Sequence, residues 1–131
     1  MADLNRKLEG GLRLRGSRRG PRKPLVNIVT VVYNGAATLE RTIQSVLAQD
    51  HPAIEYIIVD GASKDGTLGI VRRYEDRIAY WVSAKDSGIY DAMNKGIALC
   101  TGEWVGMIDA DDHYAEGAVT TAMRAAEVRT V

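Results

Sequence analysis

Trp104-Val105-Gly106-Met107-Ile108-Asp109-Ala110-Asp111-Asp112 passes from five apolar positions directly into three carboxylates. An apolar run of this length reads as a buried strand. In open α/β sheets, ligands sit at the carboxyl ends of the strands. Asp109 and Asp111 are therefore expected side by side where a substrate can sit. Carboxylates held that close repel each other, and a cation relieves the repulsion. Hard oxygen ligands suit Mg²⁺ or Mn²⁺, ions that commonly bridge to substrate phosphates. The competing reading is an acidic turn that caps the next helix, because short acidic motifs recur by chance. The rest of the chain has to decide between them.

Upstream the pattern alternates. Leu25 to Tyr33 is rich in Val and Ile and reads as a first buried strand, broken by Asn34-Gly35. Leu39, Ile43, Val46 and Leu47 recur at helical spacing, with Thr38 as N-cap, and Asp50-His51-Pro52 stops that helix. Ile54 to Val59 is a second strand ending at Asp60. After the polar loop Gly61 to Gly66 comes a helix carrying Leu68, Val71 and Tyr74. Ile78 to Val82 is a short third strand. Ile89, Met93, Ile97 and Cys100 fall on one face of a third helix, and Gly102 suits its end. Trp104 to Ile108 is the fourth strand, and a last helix is expected over 116–129. Strands alternating with helices imply right-handed crossovers and a mostly parallel sheet in a Rossmann-like, three-layer α/β/α arrangement. Tyr33-Asn34, Asp60 and Asp109 each end a strand, so they should gather along one crevice.

Bulk properties narrow the class. At 131 residues the chain is one small domain, and 46% hydrophobic content argues against global disorder. Cys100 is the sole cysteine, so no disulfide can form within the chain. No apolar run approaches the ~20 residues of a membrane span. The zero net charge hides an asymmetry. Residues 1–24 hold eight Lys/Arg against Asp3 and Glu9, a net +6, while residues 25–131 carry −6. Residues 1–24 therefore read as a basic, disordered leader, and residues 25–131 as the folded domain. Such a leader suits anionic lipid better than nucleic acid, because no aromatic side chain interleaves with its charges.

Other nucleotide and catalytic motifs fail on inspection. Gly61 to Thr67 nearly spells a phosphate-binding P-loop, but no Lys follows Gly66, and Asp65 would repel phosphate. No G-x-G-x-x-G follows the first strand. His51 and His113 read as surface loop residues, and two histidines without Cys partners make no zinc site.

What remains is an ordered series: Val31-Val32-Tyr33-Asn34-Gly35, then Ile58-Val59-Asp60-Gly61-Ala62-Ser63-Lys64-Asp65-Gly66-Thr67, then Asp86-Ser87-Gly88-Ile89-Tyr90-Asp91-Ala92-Met93-Asn94-Lys95-Gly96-Ile97, then Thr101-Gly102-Glu103, then Asp109-Ala110-Asp111-Asp112. Over about residues 25 to 115 it closely resembles family 2 glycosyltransferases. The resemblance implies the nucleotide-sugar-binding half of their GT-A fold, here expected as a truncated half. It implies that Val32, Tyr33 and Asn34 edge the base and ribose pocket, that Asp60 accepts a hydrogen bond from base or ribose, and that Asp86 to Lys95 closes over nucleotide and sugar. Within that segment Asp86, Gly88, Asp91, Asn94 and Lys95 are the implied contacts, with Asp91 equally readable as a solvent-facing helix acid. Asp109 and Ala110 complete the donor contacts. Asp109 and Asp111 are the implied ligands of a divalent metal, Mg²⁺ or Mn²⁺, with Asp112 as a cap or supporting acid. Many relatives carry Arg where Met93 stands and Pro where Lys85 stands, so one base or phosphate contact and one loop constraint are missing here.

The implied reaction is inverting transfer from a nucleotide diphosphate sugar, UDP- or GDP-linked, to a glycan or lipid-linked acceptor. The general base is expected beyond residue 131, in an acceptor half, so no residue here is assigned that role. Strand order 3-2-1-4 would leave the fourth strand at an exposed edge. A second reading is therefore a non-catalytic donor-binding or interaction fragment that needs a partner chain. Pairing with a second copy through that edge, and peripheral membrane contact, stay open. A nucleotidyl transferase using the same acids is a third reading. The family's common setting implies cell-envelope polysaccharide work in the cytoplasm, at the inner face of the membrane.

Overall fold

The computed structural model describes residues 7–16 and 25–129. Four strands run parallel: β2 (Val26–Val32), β3 (Ile54–Asp60), β4 (Tyr80–Ser83) and β5 (Trp104–Met107). A short β1 (Leu8–Gly10) joins antiparallel to β4, giving the sheet order β1-β4-β3-β2-β5. The crossovers are α1 (Leu39–Leu47), α2 (Thr67–Arg73) and α3 (Ile89–Ala98), and α4 (Ala118–Arg129) follows β5.

β2 is the central strand, and every one of its residues is buried. Its side chains alternate between two cores, as a strand covered on both faces must. Val26, Ile28 and Val32 join Leu39, Ile43 and Val46 of α1, Ile70 and Val71 of α2, and Val119 and Met123 of α4. Val29 and Val31 face the other way, with Ile57, Val59 and Ala92 of α3. The result is three layers, with α3 the helix that supplies the second core. On the larger face, Thr30 Oγ1 and the Tyr56 hydroxyl share a buried hydrogen bond of 2.7 Å, and burial raises the Tyr56 phenol well above its usual range.

Several expectations need correction. The leader is not disordered throughout. Residues 8–10 form β1 and Leu12–Arg15 a 3-10 turn, whose Leu12 and Arg13 amides donate to the Ile78 and Ala79 carbonyls at 2.9 and 2.8 Å. Its charge is partly matched: Arg13 pairs with Glu55, and Arg15 with Glu75 and Asp76. The rest of the expected leader, residues 1–6 and 17–24, lies outside the described residues.

Within the stretch 104–108, residues 104–107 form a strand that is not buried, and Ile108 just past its end is. β5 is the outer strand, with Trp104 and Val105 37% and 45% exposed. Its apolar composition reflects a half-covered edge, not a sandwiched centre. On α3, Ile89 and Ile97 are 53% and 51% exposed, whereas Ala92 and Gly96 are buried. The helix lies so close to the sheet that a Cβ at Gly96 would overlap Val29. Small residues therefore face β2 with Met93 packed beside them, and the two isoleucines are turned outward. Thr38 precedes α1 but makes no side-chain cap bond. β4 begins at Tyr80, two residues after the expected start, and α4 begins at Ala118.

Candidate functional site

Parallel strands place all their carboxyl ends on one rim, and three loops meet there. After β2 the chain turns at Asn34, whose φ of 50° is left-handed, a conformation asparagine tolerates better than most residues. The Asn34 amide donates to Ser63 Oγ at 2.7 Å, and its side-chain Oδ1 accepts from the Lys64 amide at 2.9 Å. The Ala36 amide donates to Asp65 Oδ2 at 3.2 Å, and the Gly35 amide to Thr67 Oγ1 at 3.0 Å. The Thr67 hydroxyl, then the Thr67 and Ala36 amides, hold the Asp65 carboxyl below its usual value. The P-loop-like sequence is thus a brace between two rim loops.

Asp60, at the end of β3, is 1% exposed. Its carboxylate accepts from the Ser63 amide at 3.0 Å, from Ser63 Oγ at 2.5 Å and from Ser83 Oγ at 2.6 Å. A buried carboxylate needs such donors, and three of them fix its orientation at the rim. Neither serine was assigned a role from sequence. Ser63 stood in the quoted series, but Ser83 is 23 residues away and reaches Asp60 only through the β3–β4 pairing.

The third loop leads into α3. Gly88 has φ 115° and precedes the helix. Its amide donates to Asp86 Oδ1 at 3.0 Å, and the Ser87 amide donates to Asp91 Oδ2 at 2.9 Å. Lys95 lies 3.3 Å from the same carboxylate one turn later. The Ser87 amide first, then Lys95, hold Asp91 below its usual value. Asp91 therefore closes the start of α3. Asp86 lies against Gly61, where a Cβ would stand 2.9 Å from Oδ2, so that glycine permits the approach.

Across β2, the Ile108 amide continues the ladder to the Val29 carbonyl at 2.9 Å. The chain then turns, the Asp112 amide donating to the Asp109 carbonyl at 3.0 Å. Thr42 of α1 donates to the Ala110 carbonyl at 2.9 Å and also engages the Asp112 carbonyl. One ligand oxygen from each of Asp109, Asp111 and Asp112 lies within 4.8 Å of the others, and all three side chains are exposed. Among the described residues, no Lys or Arg pairs with them. Three clustered carboxylates without a counter-charge fit a hard divalent cation, and Asp112 is as well placed as the other two.

The rim therefore divides into neighbouring parts. A cavity of about 250 Å³ is lined by Val32, Tyr33, Asp86 and Gly88, with Val31, Ile89 and Ala92. A second cavity of about 310 Å³ reaches from Asp60 and Lys95 past Val59 and Val82 to Tyr80 and Leu99, away from the rim. Tyr33 is 62% exposed over the first. Asn34 stands between the loops, and Ala110 lies beside Gly35. Asn94 is on the exposed face of α3 and lines neither cavity. Because β2 lies between β3 and β5, Asp60 and Asp109 stand about two strand spacings apart, about 10 Å, on the same rim.

Comparison with known proteins agrees with this geometry. The sequence profile described as Glycosyl transferase family 2 matches residues 27–130. The putative teichuronic acid biosynthesis glycosyltransferase TuaG of Bacillus subtilis is 41% identical over 95 residues, covering 70% of this chain and 38% of that protein. The succinoglycan biosynthesis protein ExoO of Rhizobium meliloti is 36% identical over 90 residues, covering 68% and 26%. The chain thus spans roughly a third of the length of these curated relatives. Among solved structures, the mannosyltransferase PcManGT of Pyrobaculum calidifontis, in complex with GDP-Man and Mn²⁺, is 31% identical, with TM-score 0.67 over 73% of this chain and 30% of that one. S. aureus TarS 1–349 with UDP-GlcNAc shares the fold at 24% identity, TM-score 0.69, covering 77% and 30%. With the match extending from β2 into α4, the chain belongs to glycosyl transferase family 2.

Proposed function

We propose that this rim binds a nucleotide diphosphate sugar together with Mg²⁺ or Mn²⁺, and presents the sugar to the hydroxyl of a glycan or lipid-linked acceptor. The observation that carries the proposal is the juxtaposition across β2. On one side lie Asp60 and the Tyr33–Asp86 cavity, and on the other three clustered carboxylates with which no Lys or Arg among the described residues pairs. The binding of GDP-Man and Mn²⁺ by PcManGT supports it.

Each residue has a part in this reading. Tyr33, Val32, Asp86 and Gly88 bound the base and ribose pocket. Asp60 accepts a hydrogen bond from the base or ribose, oriented by Ser63 and Ser83. Asp109, Asp111 and Asp112 would hold the metal, which when bound neutralises the diphosphate leaving group. Asp91 and Lys95 set the start of α3 beside the donor. We assign no general base among the rim residues, and transfer with inversion follows the family resemblance. Relatives named for teichuronic acid and succinoglycan biosynthesis favour an envelope polysaccharide as acceptor, worked on from the cytoplasmic side.

Isothermal titration tests this. UDP- or GDP-linked sugar should bind only with Mg²⁺ or Mn²⁺ and more tightly than a plain triphosphate, and Asp111→Ala should weaken binding by about tenfold or more. Binding that ignores the metal, or a preference for the triphosphate, would contradict the proposal.

A further inference from the structure

The leader's docking has a consequence for α3. This helix carries the donor-side segment and packs on β2 and β3 through buried Ala92 and Gly96 and half-buried Met93, with Leu99 and Cys100 just past its end, while its two isoleucines face outward. A polar contact adds to this packing and fixes the helix further.

Arg13 makes it at the far end. Its guanidinium donates to the Leu99 carbonyl at the C-cap of α3, at 2.7 Å, and to Glu55 Oε2 on β3, at 2.9 Å. The contact is half-buried, and a cation suits the negative end of a helix. One planar fork thus ties α3 to the strand that ends in Asp60. Arg13 is itself held: β1 pairs with β4 through Leu8–Ser83, Glu9–Val82 and Gly10–Trp81, and the Arg13 amide donates to the Ala79 carbonyl. At Gly10, opposite Trp81, any Cβ would collide with the Trp81 ring, so glycine lets the strand pair there. Lys7, just before β1, lines the same cavity as Asp60, Lys95 and Leu99. The family match begins at residue 27, beyond this segment.

We infer that residues 7–16 form a strap that clamps α3 to β3, and that Arg13 is a positioning residue for the donor pocket. The inference rests on the donor-binding reading above. The strap closes the free edge of β4 and sets where α3 lies, and with it Asp86, Gly88 and Lys95.

Hydrogen exchange and donor titration on the full chain test it together. Arg13→Ala should raise amide exchange over residues 92–99 while β2 amides stay protected, and should weaken Mn²⁺-dependent UDP- or GDP-sugar binding about fivefold. Arg13→Lys, which keeps the charge but not the fork, should fall between Arg13→Ala and the parent. Arg15→Ala removes pairs to Glu75 and Asp76 in the same segment and should leave both readouts unchanged. Unchanged exchange in Arg13→Ala would overturn the clamp. Increased exchange with unchanged affinity would overturn the positioning role, as would equal losses in Arg13→Ala and Arg15→Ala. A parent chain that binds no sugar nucleotide would sink the functional reading and the positioning role with it, and the exchange data would still decide the clamp.

Discussion

Asn27 is fully buried within β2, and its Oδ1 accepts from the Thr101 and Gly102 amides at 3.2 and 2.5 Å. It fixes the turn that feeds β5 and hence the carboxylates beyond it. Gly102 is required there, since a Cβ would meet Asn27 Oδ1 at 2.6 Å and the Leu25 carbonyl at 2.7 Å. Asn27→Ala removes the acceptor of the part-buried Thr101 and Gly102 amides and should lower stability by about 1 kcal/mol in urea denaturation. No loss would mean that water replaces the side chain. Sequence singled out Asp60, Asp109 and Asp111 as candidates because each follows an apolar run at the end of a strand. It could not disclose Asn27, which sits inside such a run, nor Ser83, whose partner arrives through sheet pairing. Asp112 reads from sequence as a cap or supporting acid, because local spacing cannot show how a turn gathers three side chains around one point.

At the scale of elements, period decided correctly where an element is covered as its pattern demands. β2 and β3 are continuous apolar runs sandwiched by helices, and α1 buries Leu39, Ile43 and Val46 as its spacing requires. The same rule misplaced half of α3: Met93 and Cys100 pack on the second core as expected, but close approach selects Ala92 and Gly96 for the interface and leaves Ile89 and Ile97 outside. It also misassigned β5, because an edge strand can be as apolar as a central one. β1 carries too little pattern in three residues to be found at all. The start of α3 makes a pH-dependent prediction. Asp91 is held below its usual carboxyl value of 3.8 by the Ser87 amide and Lys95. A depressed folded pKa stabilises the folded form fully above the unfolded value, and the contribution is lost as pH falls through the folded one. Exchange at the Ser87 amide, taken relative to its intrinsic rate at each pH, should therefore be constant near neutrality and rise below about pH 4. In Asp91→Asn that acid-induced rise should disappear. A rise already complete at pH 6 would assign the cap to another group.

For the whole molecule, the strong charge asymmetry is partly an internal match, since leader arginines pair with Glu55, Glu75 and Asp76 of the domain. The acids of the rim stand apart from that pairing, which is why they are available to a cation. The sheet order places them, the base-side cavity and Asp60 on one edge, with β2 as the divider. The central claim is that the two sides of this divider serve one ligand. Titrating the ¹⁵N-labelled chain with Mn²⁺, and then with Mn²⁺ and a UDP- or GDP-linked sugar, tests it most directly. The account predicts that paramagnetic broadening begins at the amides of residues 109–112, and that the nucleotide adds shifts at Tyr33, Asn34, Gly61 and Asp86. Broadening centred elsewhere, or nucleotide shifts confined to the opposite end of the sheet, would contradict it.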